Sequence, residues 1–181
     1  MKDLTNLQSV NLAKNQIADI APLAELVKLQ YLHLAENEIR DLSPLAKMEN
    51  MRSLYLSKNL IRDIGPVAPL KKIWSLYLDG NRVTDLKPLA ELKWLSDLDL
   101  RNNGVKDLSP LAGLTELNGH LRLEGNEVSD LGVFVQMAEK DDAGERRFAP
   151  CWNLYLSENP LSEDARTKQL DRLKELGARI H

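Results

Sequence analysis

Apolar residues fall along this chain at a fixed period. From Leu29 to Met48 the order LQYLHLAENEIRDLSPLAKM places leucines at 29, 32 and 34, an asparagine at 37, an isoleucine at 39 and leucines at 42 and 45, and near-copies flank it on both sides. Asn15, Asn37, Asn59, Asn81 and Asn103 stand 22 residues apart, Asn126 follows after 23 and Asn159 after 33. A period of that size marks a solenoid, in which each coil buries its apolar side only against its neighbours. Within each copy two leucines bracket one residue, as at Leu32 and Leu34, Leu54 and Leu56, Leu76 and Leu78, Leu98 and Leu100. Spacing of two points both leucines to one face of a short strand.

The segment after each strand is equally regular. The asparagine amide carries donors and an acceptor and can satisfy backbone groups where the strand ends, whereas an aspartate at neutral pH has no donor. Asn59→Asp or Asn81→Ala is therefore expected to lower stability by roughly 1–3 kcal/mol. Asp19, Asp41, Asp63, Asp85, Asp107 and Asp130 recur just before each convex segment. Their placement suits a carboxylate accepting backbone N–H bonds at a helix start better than a row of metal ligands. Ser43-Pro44 and Ser109-Pro110 predict a serine N-cap with proline at the first helical position, while Ala21-Pro22, Gly65-Pro66 and Lys87-Pro88 keep only the proline. Convex segments of this length hold a 3₁₀ or single α turn.

The pattern L-x-x-L-x-L-x-x-N-x-[IV]-x-D-[IL]-x-P-[LV]-A resembles the leucine-rich repeat, most closely the internalin-like class with 22-residue repeats, over essentially the whole chain. The resemblance implies an α/β fold: a right-handed leucine-rich-repeat solenoid with a parallel β-sheet on the concave face, short 3₁₀ or α turns on the convex face and a C-terminal capping helix. It also implies a bacterial recognition domain of the adhesin or effector kind. The signal segment, N-terminal cap and wall anchor of internalins are not matched here, which weakens the expectation of host-receptor binding and of secretion.

A single solenoid over 1–181 is expected, with regular repeats to 130, an irregular long repeat over 131–151, and the last rung and cap over 152–181. Leu4 and Leu7 occupy the slots of Leu26 and Leu29, so the chain opens in mid-register and an upstream extension is expected. Leu117-Asn118-Gly119-His120-Leu121 is one residue too long, predicting a bulge or widened loop before the strand. Leu131 to Ala138 reads as an amphipathic helix replacing the convex turn, and Glu139 to Arg147 as a polar loop, either simply solvated or in contact with a partner. After Pro160, Ser162 is set to cap a helix with Ala165, Leu170, Leu173 and Leu176 as its apolar stripe and Gly177 as its stop.

Charge changes the picture mainly by exclusion. A formal net charge of −3, with both signs interspersed, leaves no basic stripe for a phosphate backbone, so no nucleic acid is expected. No apolar run approaches the ~20 residues of a membrane helix, and no basic-then-apolar leader is visible. A monomer with no membrane association is expected, and the chain as it stands favours the cytoplasm; an upstream segment would make secretion the expectation. Cys151, the only cysteine, falls in the slot of Leu29 and Met51 and reads as an apolar filler.

Positions beside the leucine pair form columns on the concave face. All four tyrosines, Tyr31, Tyr55, Tyr77 and Tyr155, lie in them with His33, while Trp74 and Trp152 are placed at the strand entrance on the rim. Exposed tyrosine and tryptophan are enriched at interfaces; the alternative is that they stack as cross-strand neighbours. Asp97, Asp99, Arg101 and Arg122 form a charged half, where Arg101 beside Asp79 and Arg122 beside Asp99 predict cross-strand ion pairs in preference to a metal site. His33 has no column carboxylate and no nucleophile beside it. No phosphate loop, Cys/His metal spacing or nucleophile elbow is present, so no catalytic residue, metal or cofactor is assigned and no enzyme is expected. The function expected is a non-enzymatic module binding a protein partner on the concave face. The alternatives are a carbohydrate binder with Tyr55, Trp74 and Tyr77 as stacking platforms, or a repeat scaffold without a ligand.

Overall fold

Each leucine pair builds one strand. The computed structural model describes residues 4–144 and 152–181. Seven three-residue strands run in parallel order: β1 (Ser9–Asn11), β2 (Tyr31–His33), β3 (Ser53–Tyr55), β4 (Ser75–Tyr77), β5 (Asp97–Asp99), β6 (His120–Arg122) and β7 (Asn153–Tyr155). An eighth, β8 (Arg179–Ile180), completes one sheet in strictly sequential order. Residues one period apart pair directly, as Leu32 with Leu54 and Tyr55 with Tyr77. Among the described residues the leucines at strand centres and just after are fully buried from Leu32 to Leu123.

The opposite wall of the core comes from 3₁₀ turns at Ala21–Leu23, Ser43–Leu45, Gly65–Val67, Lys87–Leu89 and Ser109–Leu111, each burying its last residue. The aspartates start these turns as expected: Asp19, Asp41, Asp63, Asp85 and Asp107 each accept the N–H two residues on, at 2.7–2.9 Å. The serines do not cap. Leu42 and Leu108 hold the N-cap positions without a side-chain bond, and Ser43 Oγ instead donates to Asp41 Oδ2 at 2.7 Å. The carboxylate reaches the free N–H from outside the turn, so the serine hydroxyl is left to support the carboxylate.

The asparagines knit the coils together. Asn59 donates through Nδ2 to the carbonyls of Leu34, Leu56 and Ser57, and its Oδ1 accepts the Ile39 N–H at 3.0 Å. The same exchange recurs at Asn37, Asn81, Asn103, Asn126 and Asn159. The residue before each asparagine turns the chain through positive φ: Lys14, Glu36, Lys58, Asn102 and Glu158 share this left-handed conformation with Gly80 and Gly125.

Regularity breaks where the sequence lengthens. At β6 the extra residue is taken up in the strand entrance: Gly119 N–H bonds Ser96 O at 3.2 Å, and His120 N–H turns to Asp97 Oδ1 at 3.2 Å. A side chain on Gly119 would sit 3.0 Å from that carboxylate, which explains glycine there. Helix α1 (Gly132–Asp142) runs four residues beyond the expected end at Ala138, into the stretch read as loop. Glu and Lys are good helix formers, and Glu139 is held by Arg172 at 2.9 Å. The rest of that polar stretch, 145–147, and Cys151 lie outside the described residues.

The C-terminal cap matches expectation at its ends. Ser162 Oγ accepts the Ala165 N–H at 3.1 Å, and Gly177 closes the helix with φ 99°. In between, a π-helical turn at Ala165–Gln169 precedes α2 (Leu170–Glu175). Gln169 ties the cap down, its Oε1 accepting the Leu131 N–H and its Nε2 donating to Asp130. Beyond Gly177 the chain turns back as β8, an element too short for the leucine pattern to announce.

Candidate functional site

Side chains flanking the buried leucines stand on the concave face at the strand spacing of ~4.8 Å, close enough for rings to touch. Tyr55 and Tyr77 stack with centroids 4.6 Å apart and planes within 5°. Tyr31 meets Tyr55 at 5.2 Å, and His33 meets Tyr55 at 4.9 Å and Tyr31 at 6.4 Å. All four rings are half-buried. Burial first, then the neighbouring Tyr31 and Asp97, pushes the Tyr55 phenol above its ordinary value. Tyr77 shifts the same way, from burial and then Asp97 and Tyr55. Both phenols therefore stay neutral at physiological pH, each offering an apolar ring with a polar tip.

The charged half is wired differently from the sequence expectation. Asp99 is 1% exposed and pairs within its own coil, its Oδ2 2.7 Å from Arg101 Nη2. That hydrogen bond raises the Arg101 guanidinium pKa. A residue two positions on can fold back over the strand end, so the pairing is local and neither expected cross-strand bridge forms. Asp97 supports the widened β6 entrance and meets His120 Nδ1 at 3.1 Å. Arg122 lies over the Tyr155 ring at 5.4 Å. Tyr155 also stacks on His181 at 4.4 Å, forming a second aromatic group that includes a residue outside the repeat columns.

The two tryptophans assigned to the rim separate completely. Trp152 is fully buried, edge-on to Phe134 at 5.0 Å, because the inserted helix α1 brings Phe134 into its coil's core. Trp74 is 54% exposed on the strand-entrance flank, beside Trp94 at 64%. Sequence reasoning missed Trp94, although its slot is otherwise polar, with Asn6, Lys28, Asn50, Lys72 and Glu116.

A repeat of this spacing, with an asparagine ladder and a parallel concave sheet, coincides with the family described as Leucine Rich repeats (2 copies), matched at residues 5–47, 27–72 and 75–113. The chain belongs to the leucine-rich repeat family. Within that family it is internalin-like. An internalin (inlF) from Listeria monocytogenes superposes with TM-score 0.84 at 30% identity, covering 98% of this chain and 48% of its own. An internalin C2 from the same species gives 0.79 at 31% identity, covering 98% and 70%. A leucine-rich repeat protein of Leptospira interrogans gives 0.72 at 21% identity, covering 98% and 55%, a likeness of fold. This leucine-rich repeat chain thus spans about half the length of the first of these structures. No curated protein sequence matches it significantly.

Leucine-rich repeat proteins are in general non-enzymatic interaction scaffolds, and family and neighbours support a protein-interaction repeat module. Among the described residues no helix is long and apolar enough to cross a membrane, and no group of three His, Cys, Asp or Glu is placed to hold a metal ion.

Proposed function

We propose that this leucine-rich repeat protein binds a protein partner on its concave face, with Tyr31, His33, Tyr55 and Tyr77 as the anchor. The observation that carries this reading is the continuous run of ring contacts across β2, β3 and β4, on the face where the leucine core gains nothing from aromatic side chains. Rigid aromatics already stacked lose little side-chain entropy on binding, and central aromatic clusters of this kind dominate interface energetics. Arg101 and Arg122 set the partner's orientation through charge. Asp99 acts beneath Arg101, holding the guanidinium, and is too buried to touch a partner itself. Eight strands give a face about 34 Å long, enough for a standard interface.

The test is an affinity pull-down from the source cells with the native protein and with Tyr55→Ala/Tyr77→Ala as baits, after both are shown to melt cooperatively. A specific partner should be recovered at least tenfold less by the variant. Equal recovery by both baits would remove the concave-face reading.

A further inference from the structure

Outside the concave sheet, one surface carries side chains that the fold does not explain. A recess of about 360 Å³ on the strand-entrance flank is lined by Arg52, Lys72, Trp74 and Trp94. The main chain beneath Trp74 is locked from both sides: its N–H bonds Arg52 O at 2.7 Å, and its carbonyl accepts the N–H groups of Ser96 and Asp97. The strand entrance thus fixes where the side chain leaves the backbone, while the ring stays outside the core. In the Trp94 column, earlier coils bridge to each other with polar pairs, Lys28 to Asn6 at 2.6 Å and Lys72 to Asn50 at 2.9 Å. Trp94 abandons that pattern and leaves an apolar wall beside Lys72. Among the described residues no carboxylate lies within ion-pair distance of Arg52 or Lys72.

We propose that this recess is a second binding surface, distinct from the concave face, for an acidic peptide segment that inserts one large apolar side chain between Trp74 and Trp94 and sets its carboxylates on Arg52 and Lys72. The two indoles line the recess and supply contact area to an inserted side chain, and tryptophan and arginine are the residues most enriched where a few contacts carry the binding energy. Two cations without acidic neighbours favour a negatively charged occupant, although the chain as a whole carries −3. An anionic membrane would also attract exposed indoles and cations, and the vesicle arm of the test below separates it from a peptide. An acidic sugar could stack on the same exposed rings, and the uronate arm of the test separates it from a peptide.

The experiment uses the full chain and follows the three indole N–H signals of Trp74, Trp94 and Trp152 by NMR. The probe is a seven-residue peptide of glutamate and aspartate around a central phenylalanine. Its controls are the glutamine/asparagine analogue, the acidic peptide with a central alanine, a polygalacturonate oligomer and phosphatidylserine vesicles. Expected is saturable movement of the Trp74 and Trp94 signals with Trp152 unmoved, and affinity at least tenfold lower for both control peptides. Trp94→Ala, at an exposed site, and Lys72→Glu should each weaken binding at least tenfold with unchanged melting, while Tyr55→Ala/Tyr77→Ala should leave it unaltered. The proposal is overturned by equal binding of the neutral peptide, by the absence of saturable shifts at millimolar peptide, by preference for the uronate oligomer or the vesicles, or by sensitivity to the tyrosine variant instead of Trp94→Ala.

Discussion

Asn59 is the place to test whether the asparagine ladder holds the coils together. Its side chain is 5% exposed and makes four hydrogen bonds to main-chain groups of two coils. Asn59→Ala removes all four and strands the Ile39 N–H in a buried turn, while the Leu34 and Leu56 carbonyls each lose one of two amide donors and keep the other, from Asn37 and Asn81. One stranded buried N–H costs ~1–3 kcal/mol, the thinned carbonyl bonds add to it, and water entering the vacated space recovers part, giving a loss of about 1–3 kcal/mol. Asn15 is the internal control. It is exposed and bonds only the Leu12 and Ala13 carbonyls of its own coil, so Asn15→Ala should cost under about 1 kcal/mol.

Asn59→Asp adds a pH signature. The Oδ1 contact to Ile39 survives, but an oxygen replaces Nδ2 opposite three carbonyls, so the new carboxyl should have a folded-state pKa above its unfolded value of about 3.9. Between those two values the native state holds more protons than the unfolded state, and the variant's stability falls as pH rises through that window. Urea unfolding tracked by both circular dichroism and fluorescence, from pH 4 to pH 8, should show a gap to the native protein that is smallest at pH 4 and widest at pH 8. A pH-independent gap, or equal costs at Asn15 and Asn59, would refute the reasoning that the amide's donors are the groups the buried turn requires.

Single positions elsewhere carry their own consequences. Lys58→Gly and Glu36→Gly relieve left-handed backbone in an L-residue and should raise stability by about 0.5 kcal/mol, whereas Gly80→Ala, at φ 65° with Lys58 Cγ 3.3 Å from the added carbon, should lower it by ~1–2, all read from urea midpoints. Trp152→Ala should cost about 3–5 kcal/mol by calorimetry, and Trp94→Ala under ~0.5, the reverse of an assignment of both Trp74 and Trp152 to an exposed rim. The Ser43 N–H and then its hydroxyl hold the Asp41 carboxyl below its ordinary value. Whatever stability this bond gives is present above the unfolded pKa and lost as pH falls through the folded one; an NMR titration should show Asp41 moving upward in Ser43→Ala.

How much of the fold and the site was legible in the sequence depended on whether register survived. From Leu7 to Leu117 every coil has the same length, so a residue's slot fixes its burial, and the buried leucines, the asparagine exchange, the aspartate turns and the tyrosine column could all be read by counting. Two kinds of error remained. Ser43 was given a capping role by a rule for isolated helices, and the outcome was decided by an aspartate two residues upstream that already held the free N–H. Column spacing pairs Asp99 with Arg122, and the geometry favours the shorter reach to Arg101, two residues on in the same coil. In both cases a local contact pre-empted a plausible longer one, which slot counting does not weigh.

Trp74, Trp94 and Trp152 show where counting fails and where it was under-used. Trp152 shares Trp74's slot by spacing from the following leucine, yet the coil before it carries an inserted helix whose Phe134 extends the core to meet the ring at 5.0 Å. Slot determines burial only while the opposite wall of the coil keeps its length. Trp94, by contrast, sits in a coil of regular length, and its exposure followed directly from a column of Asn, Lys and Glu neighbours. In a solenoid whose core is filled from the repeat's own apolar slots, a large apolar residue in a polar column has no part in holding the fold. Such a residue is where the sequence itself marks a surface for something outside the chain, and the recess beside Lys72 is the physical form of that mark.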